Sequence, residues 1–314
     1  MLFLPSADAA ADWTGVVAAA PALDDPAPPA VNAETAMTAV MLVASVVALA
    51  VLRRRGALSR DAFSPPKREI DALGAGAWAG VGVLVYLGWF VGAQVAAGAA
   101  SLSPGDDTLR ARALVMIGMY LGGGAALALV WPVVGRRLVR GGFRLDALDV
   151  PRGLGALLLA VPMLWVVSAG ALLVAGWIAS ARGLPAPDLV GHVTLAALIE
   201  RDRDFWWWCI VGAVVVGAPV VEEIIWRGGV QSALRRAPVI GEWGRGWGAI
   251  ALSSLLFTLM HLGDAALHTL PSLFALAMAM GIVFERTGRL GSAIVMHAGF
   301  NALNIAVALA QATP

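Results

Sequence analysis

The 314-residue chain is 59% hydrophobic and 14% charged, with a mean hydropathy of +0.79 and a formal net charge of +1. This composition indicates an integral membrane protein, and the near-neutral charge gives no reason to expect a nucleic-acid partner. The single cysteine, Cys209, excludes an internal disulfide and a cysteine-based zinc cluster.

The first 35 residues are rich in Ala, Pro and Asp and contain no Lys or Arg. A segment of this composition cannot bury enough apolar surface to fold, so we predict a disordered tail over residues 1–35. Because basic residues are retained on the cytoplasmic side of a membrane, their absence favours an external position for this tail.

Eight apolar runs have the length of about 17 to 25 residues that crosses a hydrocarbon core. They cover residues 36–52, 74–99, 113–134, 154–180, 205–230, 247–263, 269–285 and 290–311. The alternation of apolar and polar residues that marks a transmembrane β-barrel is absent from the sequence. We therefore predict an all-α, polytopic transmembrane helical bundle of about eight spans.

The two halves of the chain differ in polarity. The first three spans contain no ionisable residue in their interiors, and their Gly76-x-x-x-Gly80 and Gly118-x-x-x-Gly122 spacings favour close helix packing. We interpret residues 36–153 as accessory transmembrane helices and residues 154–314 as the functional core. Most Lys and Arg follow the first, third, fifth and seventh spans, which predicts a multi-pass protein of the plasma (inner) membrane with both termini outside the cytoplasm.

Three motifs place polar groups inside apolar stretches of the second half. They are Glu222-Glu223-x-x-x-Arg227, Phe257-x-x-x-His261 and His297-x-x-x-Asn301. A charged side chain at membrane depth costs several kcal/mol unless it faces a protein-lined or water-filled cavity, so such residues indicate a functional pocket. His192 and His268 match no motif and fall in predicted external connections, where we expect solvated or interfacial side chains.

Helical geometry separates the roles of the first motif. Glu223 and Arg227 are i,i+4 neighbours and can form an ion pair, whereas Glu222 points in another direction. Glu222 is therefore the carboxylate available to a reacting water. Phe257 alone is interpreted as a packing residue.

The combination of Glu, two His and Asn in one pocket favours hydrolysis. A buried carboxylate can act as general base toward water, and an Asn amide with a histidine can stabilise an oxyanion. Alternatively, Glu222, His261 and His297 could hold Zn²⁺ or another divalent metal with an open position for water. The sequence does not decide between a metal-bound water and direct activation by Glu and His.

In order and spacing, the three motifs resemble the type II CAAX prenyl endopeptidase family, also called CPBP or Abi intramembrane proteases, in a prokaryotic-type member. The resemblance covers about residues 154 to 311. It implies that Glu222 and His261 activate the water and that His297 and Asn301 stabilise the oxyanion. Glu223, Arg227 and Phe257 would be supporting members of the motifs.

The resemblance implies a membrane-embedded peptidase that cuts near the C-terminus, or in the membrane-proximal part, of a protein or peptide. The partners expected are membrane lipid and such a substrate, prenylated in the eukaryotic members of the family. Two alternatives remain open: a non-enzymatic scaffold or bacteriocin self-immunity protein, and a small-solute or proton carrier. Matching halves with broken helices, which would favour a carrier, are absent from the sequence.

Overall fold

The computed structural model of the protein describes residues 33–103, 105–188, 191–238, 240 and 246–312. Nearly all of the tail predicted over residues 1–35 lies outside the described residues.

The described part of the chain forms nine helices. They are α1 Ala33–Arg54, α2 Ala75–Ala99, α3 Leu109–Arg140, α4 Asp149–Ala181, α5 Val193–Glu200, α6 Phe205–Arg236, α7 Trp247–Leu259, α8 Leu270–Thr287 and α9 Leu290–Ala312. The predicted all-α class is confirmed. Within these residues, seven helices have the length and apolar composition to cross a membrane, so the protein is an integral, multi-pass membrane protein.

The eighth predicted span, 247–263, is shorter in the structure than in the prediction. α7 ends at Leu259 after 13 residues, which is about 20 Å at the α-helical rise and less than the roughly 30 Å of a hydrocarbon core. The chain turns beyond α7, where the amides of Asp264 and Ala265 donate to the His261 carbonyl and Gly263 takes a φ of 105°. His261 therefore lies in a loop at the end of α7.

Glycines allow α2 and α3 to pack closely. A Cβ on Gly118 would lie 2.5 Å from the Gly92 carbonyl oxygen, and one on Gly122 would lie 2.1 Å from that of Gly88. The predicted packing role of the Gly118-x-x-x-Gly122 spacing is thus confirmed. Gly76 and Gly80 have open space where a Cβ would point, so the first spacing does not make such a contact within the described structure.

α6 is helical over its whole length, and two of its segments, Ala213–Gly217 and Ile224–Gln231, are π-helical. π-helical turns are rare and occur frequently at functional sites. α2 packs closely against the second segment, since a Cβ on Gly229 would lie 2.6 Å from the Gly82 Cα. The main hydrophobic core joins α6 to α4, α8 and α9 and holds these four helices together.

A buried cluster that we call the inner charge cluster lies near the end of α6. It consists of Arg68, Gln231, Ser232 and Glu285. Arg68 donates to Glu285 at 2.7 Å and to Ser232 Oγ at 3.1 Å, while the Gln231 amide donates to Glu285 at 3.1 Å. The cluster connects the segment that precedes α2 with α6 and α8.

Candidate active site

The two adjacent glutamates of α6 lie between its π-helical segments, in the short α-helical stretch Ala218–Glu223. Successive residues of a helix point about 100° apart, so the two carboxylates meet different surroundings. The Glu223 side chain is 0% exposed, whereas that of Glu222 is 24% exposed. Glu222 is thus the more accessible of the two carboxylates.

Arg227 neutralises Glu223 behind the site. Its Nε lies 3.0 Å from Glu223 Oε2, which confirms the predicted ion pair, and both side chains are enclosed by protein. Arg227 also donates to the Ala277 carbonyl of α8 at 3.1 Å. Removing two charges from water is costly, and the ion pair offsets part of this cost, together with the bonds from Arg227 to Ala277 and from His297 to Glu223. Glu223 Oε2 and Arg227 Nη1 are buried without a hydrogen-bond partner within the described residues.

His297 of α9 connects the two glutamates. Its Nδ1 lies 3.0 Å from Glu223 Oε1, and its Nε2 lies 3.9 Å from Glu222 Oε2. Because an ionised carboxylate only accepts hydrogen bonds, the bond to Glu223 places the hydrogen on Nδ1 and directs Nε2 toward Glu222. The distance of 3.9 Å is too long for a direct hydrogen bond but suits two groups that bind one water.

Asn301 lies one helical turn beyond His297 and faces the first π-helical segment. Its side-chain amide donates to the Val214 carbonyl at 2.8 Å. An amide nitrogen carries two hydrogens, so one remains for a ligand. α9 thereby presents a histidine and an amide donor on one face, as the i,i+4 spacing predicts.

Phe257 is buried among the members of all three motifs. Its ring centroid lies 4.6 Å from that of His261 and 6.2 Å from that of His297, and the Arg227 guanidinium lies 5.0 Å from the ring centre. The Trp226 ring packs edge-on at 5.9 Å. Phe257 therefore packs as predicted, and its ring contacts the polar side chains of His261, His297 and Arg227.

His261 is fixed by the Phe257 backbone. Its Nδ1 lies 2.8 Å from the Phe257 carbonyl oxygen, which can only accept, so Nδ1 carries the hydrogen and the neutral ring offers Nε2 as an acceptor. In the described structure no hydrogen bond or ion pair joins His261 to Glu222. The structure thus brings Glu222 next to His297, and the Phe257 ring contacts His261 in a tilted arrangement and His297 edge-on.

His192 adjoins the His261 loop and is not fully solvated, which leaves the interfacial position of the two that were expected. It is half-buried, it forms an isolated β-bridge with Ala265, and Val193 donates to the Asp264 carbonyl at 3.2 Å. Burial, with a smaller contribution from His261, lowers the pKa of His192 to about 4. The neutral Nδ1 accepts a hydrogen bond from the Thr194 amide and caps α5. The sequence does not predict this position of His192, because the residues that it adjoins, Asp264 and Ala265, are distant along the chain.

Tyr120 of α3 brings one of the predicted accessory helices to the site. Its ring fills the space beside Gly217, where a Cβ would lie 2.4 Å from the ring, and it lies within electrostatic range of Glu222. The sequence gives no sign of this contact, since Tyr120 belongs to no motif.

The arrangement of the side chains bears on the predicted metal site. Three protein ligands to zinc lie about 2.0–2.2 Å from a common point. Among the described residues, no three His, Cys, Asp or Glu side chains are grouped to hold a metal ion. The side chains of Glu222, His261 and His297 are therefore not grouped as ligands of one metal in the part of the chain that the structure describes.

Comparison with protein families identifies one region of the chain. The family described as "Type II CAAX prenyl endopeptidase Rce1-like" matches residues 203–303, which include all three motifs. Comparisons with curated proteins and with solved structures find no match.

Proposed function

Residues 203–303 belong to the type II CAAX prenyl endopeptidase Rce1-like family, and on that premise we propose that the protein is an intramembrane endopeptidase. It hydrolyses a peptide bond near the C-terminus, or in the membrane-proximal part, of a protein or peptide. The site residues are Glu222, His261, His297 and Asn301.

One observation carries the proposal. The partly open Glu222 carboxylate lies 3.9 Å from His297 Nε2, while the Glu223 carboxylate that binds His297 Nδ1 is enclosed and paired with Arg227. A purely structural ion pair would need no second carboxylate open to the pocket. The arrangement suits a water held between a carboxylate and an imidazole.

Glu222 acts as general base. It accepts a proton from the water as the water oxygen attacks the carbonyl carbon of the substrate. It then gives this proton to the peptide nitrogen as the C–N bond breaks and the amine leaves. His261 offers an unprotonated Nε2 and assists in this activation, which requires the loop after α7 to bring it closer when substrate binds. Catalytic hydrogen bonds are often long without substrate and shorten in the reactive complex.

His297 and Asn301 stabilise the oxyanion of the tetrahedral intermediate. In this role His297 donates from Nε2, which requires a hydrogen on each ring nitrogen, while Glu223 accepts from Nδ1; Asn301 donates its second amide hydrogen. Donors fixed before the reaction stabilise developing charge without reorganising, and each contributes on the order of 100- to 1000-fold in rate.

The proposal is tested with purified protein in lipid and quenched peptides that carry a prenylated or an unprenylated C-terminal cysteine motif. Wild type, Glu222→Gln and the matched control Glu200→Gln, at the exposed end of α5, are each assayed with and without a chelator. Glu222→Gln keeps the shape of the side chain and removes the base, so we expect cleavage to fall by about 100- to 10,000-fold.

Cleavage by wild type and Glu200→Gln, together with its loss in Glu222→Gln, would support the peptidase and the role of Glu222. Equal cleavage by wild type and Glu222→Gln would refute that role. The chelator arm tests the metal requirement, and the two peptides test whether the substrate is prenylated.

A further inference from the structure

A cavity of about 790 Å³ lies apart from the glutamates of α6, where α3 and α6 end and α2 begins. Its walls come from residues 66–74, the last turn of α3, and residues 235–238. Its lining includes five arginines: Arg68, Arg137, Arg140, Arg235 and Arg236. These segments are distant in sequence, so folding assembles the site.

Positive charge exceeds negative charge around this cavity. Its two lining carboxylates are each engaged, since Glu69 lies 3.4 Å from Arg140 and Asp71 lies 2.8 Å from Arg236. Arg137 is exposed, and within the described residues it forms no ion pair. The cavity therefore offers an uncompensated guanidinium beside two half-exposed ones.

The back of the cavity is also basic. The Arg68 side chain is 0% exposed and pairs with Glu285 behind this wall, and Arg235 approaches the same carboxylate at 3.9 Å. One carboxylate thus faces two guanidinium groups. A net positive potential results at this wall.

The position of the cavity at the ends of transmembrane helices and its guanidinium donors indicate the class of ligand that it can bind. The ends of transmembrane helices lie at the level of lipid headgroups, and basic pockets between such helices bind anionic headgroups. The planar guanidinium fork matches the oxygens of phosphate. Arginines at a helix C-terminus complement the helix dipole, but the dipole does not account for the convergence of three separate segments on one cavity.

We infer that this cavity binds a phosphate-bearing anion, with Arg137 and Arg140 at its opening. The inference depends on the membrane-spanning fold and not on the peptidase activity. Lipid headgroups and free phosphate share this chemistry, and the experiment separates them.

The test uses native mass spectrometry of purified full-length protein in detergent micelles, titrated with phosphatidic acid, phosphatidylcholine or inorganic phosphate. Wild type is compared with Arg137→Gln and with the matched control Arg136→Gln, an exposed neighbour on the same turn that does not line the cavity. One arginine near a headgroup changes affinity by about fivefold. We expect this loss for Arg137→Gln, a larger loss for Arg137→Gln with Arg140→Gln, and no change for Arg136→Gln.

Arg137-dependent binding of phosphatidic acid alone would support the inference and identify a lipid headgroup as the ligand. Arg137-dependent binding of inorganic phosphate would support it and identify a soluble ligand. Equal binding by Arg137→Gln and Arg136→Gln, or no binding by wild type, would overturn it, provided that melting curves show both variants folded.

Discussion

Two buried charge clusters lie along α6 and its neighbours, and they differ in how completely they are enclosed. In the inner charge cluster, the side chains of Arg68 and Glu285 are both 0% exposed. At the candidate active site, Glu223 and Arg227 are similarly enclosed, but Glu222 remains 24% exposed and faces His297.

The difference shows that burial of charge does not by itself indicate catalysis. Both clusters contain a Glu–Arg pair held by hydrogen bonds to neighbouring helices. The candidate active site additionally contains the Glu222 carboxylate and His297 Nε2, which form no hydrogen bond to protein within the described residues. An open acid beside a closed ion pair is therefore the informative feature, because the closed pair fixes the geometry and the open acid can react.

The same substitution at each cluster should have opposite consequences. Glu285→Gln leaves Arg68 and Arg235 facing a neutral amide, and breaking a buried pair costs about 3–5 kcal/mol in the free energy of unfolding. Chemical denaturation in mixed micelles measures this loss. Hydrolysis per folded molecule should persist in Glu285→Gln, whereas Glu222→Gln should keep its stability and lose activity. Comparable stability losses in both variants would contradict the distinction between the clusters.

Within the active-site cluster, Asn301→Ala should lower the rate by about 100- to 1000-fold, because it removes one oxyanion donor. The control is Asn304→Ala on the next turn of α9. Asn304 is buried, and its carbonyl oxygen has no hydrogen-bond partner within the described residues. We expect Asn304→Ala to retain cleavage of the same peptides. Similar rates for the two variants would argue against Asn301 as an oxyanion donor.

The smallest effect is expected at the His261 loop. The folded protein holds the pKa of His192 at about 4, below the 6.5 of an unperturbed histidine, so between these values the unfolded chain binds a proton that the folded chain does not. Stability from this group is therefore complete above pH 6.5 and falls as the pH decreases toward 4. Protonation also removes the acceptor that caps α5. We expect a decrease in melting temperature of about 2–4 °C between pH 7 and pH 5.

His192→Asn provides the control for this pH dependence. Asparagine also caps helices but does not titrate, so its contribution should not change over this range. A wild-type decrease no larger than that of His192→Asn would remove His192 as the acid-sensitive group. His261 and Asp264 lie near His192, and both are retained in the variant, so their contributions cancel in the comparison.

The helices and the motif residues could be predicted from the sequence because their signals are local. Apolar runs specify the spans, and i,i+4 spacing specifies the Glu223–Arg227 pair. The end of α7 could not be predicted, because Met260 and Leu262 continue the apolar run past the point where the helix stops. Hydropathy measures burial in lipid and does not report where hydrogen bonding changes.

Contacts between helices could not be predicted from the sequence. The bond from His297 to Glu223 and the position of Tyr120 near Glu222 depend on how α3, α6 and α9 pack, which no periodicity within one helix encodes. Arg68 reads as one of the basic residues of a cytoplasmic connection, yet it is buried against Glu285. The contact of His192 with the His261 loop was not predicted for the same reason, since its partners lie in another loop. The oxyanion roles and the metal requirement remain predictions.

The second π-helical segment of α6, Ile224–Gln231, connects the two clusters within one helix. Each residue of a helix turns the chain by about 100°, so inserting or deleting a single residue in this segment would rotate Gln231 and Ser232 out of line with Glu222 and Glu223. The length of this segment thus sets the relative orientation of the residues that contact the inner charge cluster and of those at the candidate active site. The number of residues in this segment is constrained in addition to the side chains of Arg227 and Gln231, which contact Glu223 and Glu285.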